Sequence, residues 1–586
     1  MKYPYLDKIQ KNGDVKKLPQ QELPLLCEDI RNFLIESVSS TGGHLSSNLG
    51  VVELTVALHR ALTLPQDKIL FDVGHQCYTH KLLTGRREGF AHLRQVDGLS
   101  GFPSPQESDC DTFIAGHGST ALSTAIGVAR AKKLKKEPGK VVAIIGDGAF
   151  TGGMVYEGMN NVSNLNNLIV VLNDNKMSIS KNVGQMANYL TKLRTDPKYF
   201  RVKAHMETAL GRIPAVGTAL VEVLQEGKKI IRRGIYHSTM FEEMGFQYVG
   251  PVDGHDVTEL TRIFTNLQEQ YSPVFLHIVT QKGKGLKPAE ENPGEFHSVS
   301  AFDLDHLTNP EMSPKDSFSN RFGNKLAALG REVPNLCAIT AAMKYGTGLN
   351  FFYRAIPERF FDVGMAEEHA VTFAAGLASQ GMLPVVAIYS TFFQRAYDQM
   401  IHDVNLMHLD VLFAVDRAGL VPGDGETHQG IYDTGYFSQS ASRCILRATM
   451  RNWNTGWKHW SKPCAAPAPS VMPAEKKSRL WRPLDAPANP MICCAVRTRP
   501  IPFLSVMALK PRRFLPRRNC CATREWQRTA VSWCRFIPCR MVFAASFPTI
   551  KPSCLQRNPW QRAVLASSFA LPCRQQVGRA ALSCAG

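Results

Sequence analysis

The first 452 residues of this 586-residue chain contain no tryptophan, and the first 440 contain only four cysteines, Cys27, Cys77, Cys110 and Cys337. These scattered thiols have neither the spacing of a zinc site nor the density of a disulfide framework, so neither device is expected there. No run of 18 uninterrupted apolar residues occurs, which excludes an ordinary membrane-spanning helix. The opening "MKYPYLDKIQ" lacks the apolar stretch of a secretory leader, so a cytoplasmic location without membrane partners is expected. At the other end of the chain, acid is scarce. Residues 441–586 hold 25 Lys and Arg against Glu475, Asp485 and Glu525 alone, so the formal net charge of +18 comes entirely from this segment.

What is present before residue 441 is a rhythm. Short apolar runs, "KILFDVG", "VVAIIGDG", "LIVVLNDN" and "VFLHIVT", then "RFFDVG", "LPVVAIY" and "DVLFAVDR", alternate with helical patterns such as "STALSTAIGVARAKKL" and "AEEHAVTFAAGLASQG". Continuous apolar runs this short point to parallel strands covered on both faces by helices. The expected fold class is α/β, with one parallel-sheet domain over 1–307, a second over 318–440 and a joint near "TNPEMSPKDS". Ligands of such domains gather beyond the carboxyl ends of the strands.

"VVAIIGDGAFTGG" runs from a strand into Gly146, Asp147 and Gly148, a turn that alone says little. The next run, "LIVVLNDNKMSIS", ends in Asn173, Asp174 and Asn175, so two adjacent strands would bring a carboxylate and an amide to one crevice. Mg²⁺ asks for hard oxygen ligands and shares them with phosphates. Asp147, the side-chain oxygen of Asn175, a main-chain carbonyl near Met177 and a diphosphate would meet that demand.

This pairing resembles the thiamine diphosphate signature. The resemblance implies Glu367, at the helix start in "DVGMAEEHAVTFAAG", as the acid that hydrogen-bonds the cofactor's aminopyrimidine, and Phe392, in "YSTFFQRAYDQ", as the aromatic wall against it. A dipole preference would equally place acids at a helix start, and a core role would equally explain the Phe. "STGGHLSSNLGVVELTVALH", "DVGHQCYTHKLLTGRR", "RAYDQMIHDV" and "DRAGLVPGDGETHQG" narrow the likeness. Over about residues 20–437 the chain resembles the 1-deoxy-D-xylulose-5-phosphate synthase family, transketolase-like homodimers that use thiamine diphosphate and Mg²⁺. That implies joining pyruvate, with loss of CO₂, to D-glyceraldehyde 3-phosphate. It also implies His44, His75, His297 and His428 as proton-handling groups. His75, Gly116, His117, Gly118, Gly146 and Gly148 would neighbour the cofactor. Tyr389, Asp424 and His428 would lie near the acceptor, with Arg417 on its phosphate. Any one of these histidines could instead be a satisfied structural residue, and a transketolase-type carboligase with another donor or acceptor is the rival enzyme reading.

After "THQGIYDTGYFSQ" the family continues with further strands, a Tyr-x-Arg-Gly segment that binds phosphate and a third domain, none of which can be read in 441–586. That segment carries all seven Trp, eleven of the fifteen Cys and 16 of the 35 Pro, with no sustained periodicity. Trp, Asn, Lys and His have nearly fixed codons. Read one nucleotide earlier, those from Asn452 onward spell L-E-[HY]-[WRG]-[LMV]-E-[AT]-L, an amphipathic helical pattern. The tail is therefore expected to be out of frame, leaving the second domain incomplete, with an open apolar sheet edge, and the tail without a recognisable fold. Nonspecific binding of nucleic acid by its charge is the non-enzymatic alternative, without a specific nucleic acid partner.

Overall fold

The computed structural model describes residues 2–176, 184–195, 239–304 and 317–439, with strands at 443–446 and 492–496. Each apolar run named above forms a strand. In the first half, β1 (Lys68–Phe71), β2 (Val141–Gly146), β3 (Leu168–Asp174), β4 (Gln247–Asp253) and β5 (Val274–Val279) lie in the order β1-β2-β3-β5-β4, with all pairings parallel. Strand β4 escapes a sequence reading because Gly250 and Pro251 interrupt it, and its register shifts between Val249 and Val252.

The pleat sorts the side chains. In β2, Val142 and Ile144 enter one apolar cluster while Val141, Ala143 and Ile145 enter another on the opposite face; β3 divides in the same way. Both faces are therefore covered, which is why these strands read as continuous apolar runs rather than alternating ones. The helix Ala121–Lys135 covers one side, with Ala121, Leu122, Ala125 and Ala129 buried.

The second half repeats the plan with β6 (Leu336–Thr340), β7 (Phe360–Asp362), β8 (Leu383–Tyr389) and β9 (Val411–Asp416), parallel in the order β9-β8-β6-β7. Strand β6 is "LCAIT", in which the small side chains of Cys337 and Ala338 weaken the apolar run. Strands β7 and β8 flank it on opposite sides, so the chain changes direction there and opens a crevice at the carboxyl ends. The helix Glu367–Ser379 begins just past β7.

The expected open edge on β9 is not left open. Strand β11 (Ile492–Val496) pairs antiparallel with β9, and β10 (Arg443–Leu446) pairs antiparallel with β11. Backbone pairing places few demands on side-chain identity, so a segment without the family's sequence can still satisfy an edge. The joint expected at 308–317 lies, except for Ser317, outside the described residues. Ser317 caps the helix Phe318–Glu332 by accepting a hydrogen bond from Asn320 N–H. The four early cysteines are free and buried. Among the described residues no helix is long and apolar enough to cross a membrane.

Candidate active site

Asp147, Asn175 and Arg417 sit just past the carboxyl ends of strands, while His44, His117, His297 and His428 come from other segments of the chain. Asp147 follows β2 and Asn175 follows β3, whose register pairs Gly146 with Asn173. The Asp147 carboxylate accepts hydrogen bonds from Gly148 N–H at 3.0 Å and Asn175 N–H at 3.1 Å, so the two strand ends meet as the 28-residue spacing implied. Burial, and secondarily Asp174, push the Asp147 carboxyl well above its ordinary range. A cation beside it would reverse that cost. The flanking residues are committed elsewhere: the Asn173 side chain bonds Gln76 and Thr280, while Asp174 accepts from His277 at 3.0 Å and pairs with Arg194. No group of three or more His, Cys, Asp or Glu able to hold a metal occurs among the described residues, so the expected set depends on amide and carbonyl oxygens. Met177 lies outside the described residues.

Glu367 is the first residue of its helix and only 3% exposed. Burial raises its carboxyl to about 7, although Arg395, 3.4 Å away, opposes the shift. Arg395 also donates to Gly118 O at 2.7 Å, tying the second half to the first. The glycines around His117 serve this approach. A Cβ on Gly116 would come within 2.6 Å of Thr427, and one on Gly118 within 2.3 Å of Met365. Between them, His117 Nε2 lies 2.8 Å from the Thr391 hydroxyl.

The histidines form a connected series of rings. His44, His75 and His297 make a triangle with centroids 5.0–5.6 Å apart. Phe102 touches His44 at 5.7 Å and stacks on His428 at 5.0 Å, and His428 lies 5.8 Å from His117. Phe392 completes the series, 5.1 Å from His117, 5.5 Å from His428 and 5.8 Å from Tyr389. Burial pushes all five histidines below their ordinary value, His117 to about 4, with neighbouring cations adding to the effect. They are therefore neutral near pH 7, each with one nitrogen to donate and one to accept.

At the far end the Arg417 guanidinium lies 3.6 Å over the Tyr389 ring. Asp424 is not free, because Arg94 of the first half donates to its carboxylate at 2.7 Å and to Gly423 O at 2.6 Å. Sequence reasoning missed Arg94, Arg395 and Phe102. Arg395 stood in a quoted motif without a role, whereas Arg94 and Phe102 lie on irregular chain where no periodicity marks them.

Three buried polar atoms in this region lack a hydrogen-bond partner: Nδ1 of His44, Nδ1 of His75 and Nη1 of Arg417. Each such orphan costs about 1–3 kcal/mol, so a crevice that keeps three of them is shaped for a polar guest. A buried carboxylate, a guanidinium with one unpaired nitrogen, Arg417 Nη1, and neutral imidazoles make a lining suited to a polar, anionic guest.

Residues 6–280 match the family model described as 1-deoxy-D-xylulose-5-phosphate synthase, and residues 316–460 match the transketolase pyrimidine-binding domain. The second match runs some way past the limit near 440 expected from sequence. A protein named 1-deoxy-D-xylulose-5-phosphate synthase from Lachnoclostridium phytofermentans is 51% identical over 449 residues, covering 76% of this chain and 72% of its own length. Proteins of the same name from Natranaerobius thermophilus and Caldanaerobacter subterraneus are 51% and 52% identical, each covering 75% of this chain and 70% and 71% of their own lengths. By these matches the chain belongs to the 1-deoxy-D-xylulose-5-phosphate synthase family.

Proposed function

We propose that this chain decarboxylates pyruvate and joins the remaining two carbons to D-glyceraldehyde 3-phosphate, giving 1-deoxy-D-xylulose 5-phosphate and CO₂, with thiamine diphosphate and Mg²⁺ as cofactors. The observation that carries the reading is one connected series of buried, neutral histidines drawn from both halves, in a chain about half identical to proteins named for this synthesis. Bound thiamine diphosphate would supply the carbon nucleophile. Asp147, the Asn175 side chain and the Met177 carbonyl would hold Mg²⁺. Gly146, Gly148, His75 and the Gly116-His117-Gly118 turn would line the diphosphate, and Phe392 would lie against the pyrimidine.

Glu367 would hold a proton at the pyrimidine ring, a task suited to an acid whose pKa is about 7. His44, His75, His297 and His428 would exchange protons with the substrates. Tyr389, Asp424 and His428 would orient the aldehyde, and the unpaired Nη1 of Arg417 would take its phosphate. The same reading makes the protein a cytoplasmic homodimer, and the four free, buried thiols of the first 440 residues fit a reducing compartment.

The reading extends to the tail, which we propose to be out of frame beyond about residue 440. The alignments to relatives cover 74–76% of this chain, and the second family model stops at 460. Sequencing the gene tests this directly, because an intact family C-terminus in the translated frame would overturn it. The test of activity is a coupled assay of the purified chain with pyruvate, D-glyceraldehyde 3-phosphate, thiamine diphosphate and Mg²⁺. Turnover that Glu367→Gln abolishes is the expected result, and soluble, cofactor-loaded protein without turnover would contradict it.

A further inference from the structure

Phe102 is 2% exposed, yet it belongs to none of the four apolar clusters that make the core. Its ring neighbours are imidazoles: it stacks on His428 with planes 26° apart and meets His44 edge-on. A buried Phe that serves packing alone belongs among aliphatic side chains. This one lies between the histidine triangle and the pair formed by His117 and His428.

The chain that carries Phe102 is irregular from Leu99 to Asp111, and two carboxylates brace it. Glu107 accepts from Ser100 N–H at 2.7 Å, and Asp111 accepts from Ser104 N–H at 2.7 Å, so the braces fall two residues to either side of Phe102. Buried cations hold both carboxylates in turn. Arg86 makes a two-pronged pair with Asp111 at 2.7 and 2.8 Å and reaches Glu107 at 3.0 Å; Lys81, fully buried, also pairs with Glu107. His80 Nε2 lies 2.9 Å from Asp111, and His80 Nδ1 lies 2.9 Å from His59 Nε2. Burial favours the neutral form of Asp111, but His80 and Arg86 outweigh it and hold the carboxyl below its ordinary range. Burying this many charges is expensive unless each is paired, and none of these groups touches the crevice itself. The network fixes one short loop, and the crevice contacts of that loop run through Phe102.

We propose that Phe102 is a positioning residue for His428, with Glu107 and Asp111 setting its place. One nitrogen of His428, Nδ1, is held 2.7 Å from the Thr427 hydroxyl, a contact that does not by itself fix the plane of the ring. Stacking on Phe102 fixes the ring plane, and with it the position of the other nitrogen. The inference rests on the proposed function in assigning His428 to the aldehyde acceptor rather than to pyruvate.

Phe102→Leu keeps the volume and removes the ring, whereas Phe102→Tyr keeps the ring. In the full-length chain Phe102→Leu should raise the KM for D-glyceraldehyde 3-phosphate by about tenfold. The KM for pyruvate should stay within about twofold, and Phe102→Tyr should restore most of the loss. A second readout needs no turnover. In protein labelled at the histidine ring carbons, the His428 resonance, assigned by its loss in His428→Asn, should move downfield in Phe102→Leu as the ring current is removed. Equal changes in both KM values, or an unmoved His428 resonance, would overturn the proposal. If the chain has no turnover at all, the resonance alone decides.

Discussion

Asp147, directly past β2, and Glu367, the first residue of the helix that follows β7, are both buried, and each has its carboxyl pushed upward by loss of water. Their neighbours differ. Asp147 receives two main-chain N–H groups and faces a second acid, Asp174, with the buried Lys282 opposing the rise, an arrangement that a metal cation would relax further. Glu367 faces a cation already, Arg395, and is left poised near 7. Burial thus raises a carboxyl at the end of a strand in one half and at the start of a helix in the other, while a cation, Lys282 for Asp147 and Arg395 for Glu367, opposes the rise in both.

The comparison breaks most visibly at Glu367. Glu367→Gln should lower kcat by at least about 10²-fold while leaving cofactor affinity nearly unchanged, measured by steady-state kinetics and calorimetric titration. Asp147→Asn should act on the other quantity, weakening Mg²⁺-dependent binding of thiamine diphosphate by about 10–100-fold. Arg94→Met removes the partner of Asp424 across the two halves. Because this pair is partly exposed, the expected outcome is a rise of only several-fold in the KM for the aldehyde, with the KM for pyruvate unmoved.

A smaller effect sharpens the contrast through stability. The Glu367 carboxyl has a folded pKa of about 7 against an ordinary 4.5, so between these values the native state holds more protons than the unfolded state. Stability is complete below the lower value and declines as pH rises through the upper one. Cofactor-free Glu367→Gln should therefore be more stable than the parent at pH 8, by up to about 3 kcal/mol less the lost Arg395 contact, and the gain should vanish near pH 4.5. Urea unfolding at the two pH values measures it; equal differences at both would contradict the assignment.

Most of the fold was legible because parallel strands buried on both faces leave continuous apolar runs, and the seven runs singled out are strands. The two missed in the first 440 residues have physical reasons: Gly250-Pro251 breaks the pattern of β4, and the small Cys337 and Ala338 weaken the run of "LCAIT". The glycine-acid turn at 146–148 directly past β2 and the acid at 367 at a helix start lie where the apolar runs and the helical pattern placed them. Arg94, Arg395 and Phe102 were not legible, because their roles arise from contacts between segments far apart in sequence. The pairing of β11 with β9 could not be read either, since any chain can offer N–H and C=O groups to an open edge.

The most direct measurement titrates thiamine diphosphate, with Mg²⁺ present, into the full-length chain and its Glu367→Gln and Asp147→Asn variants, and then assays each loaded protein for 1-deoxy-D-xylulose 5-phosphate. The account predicts that the parent binds and turns over, that Glu367→Gln binds without turnover, and that Asp147→Asn binds about 10–100-fold more weakly. A parent chain that binds without forming product, or two variants that lose binding alike, would contradict the division of labour between the two acids.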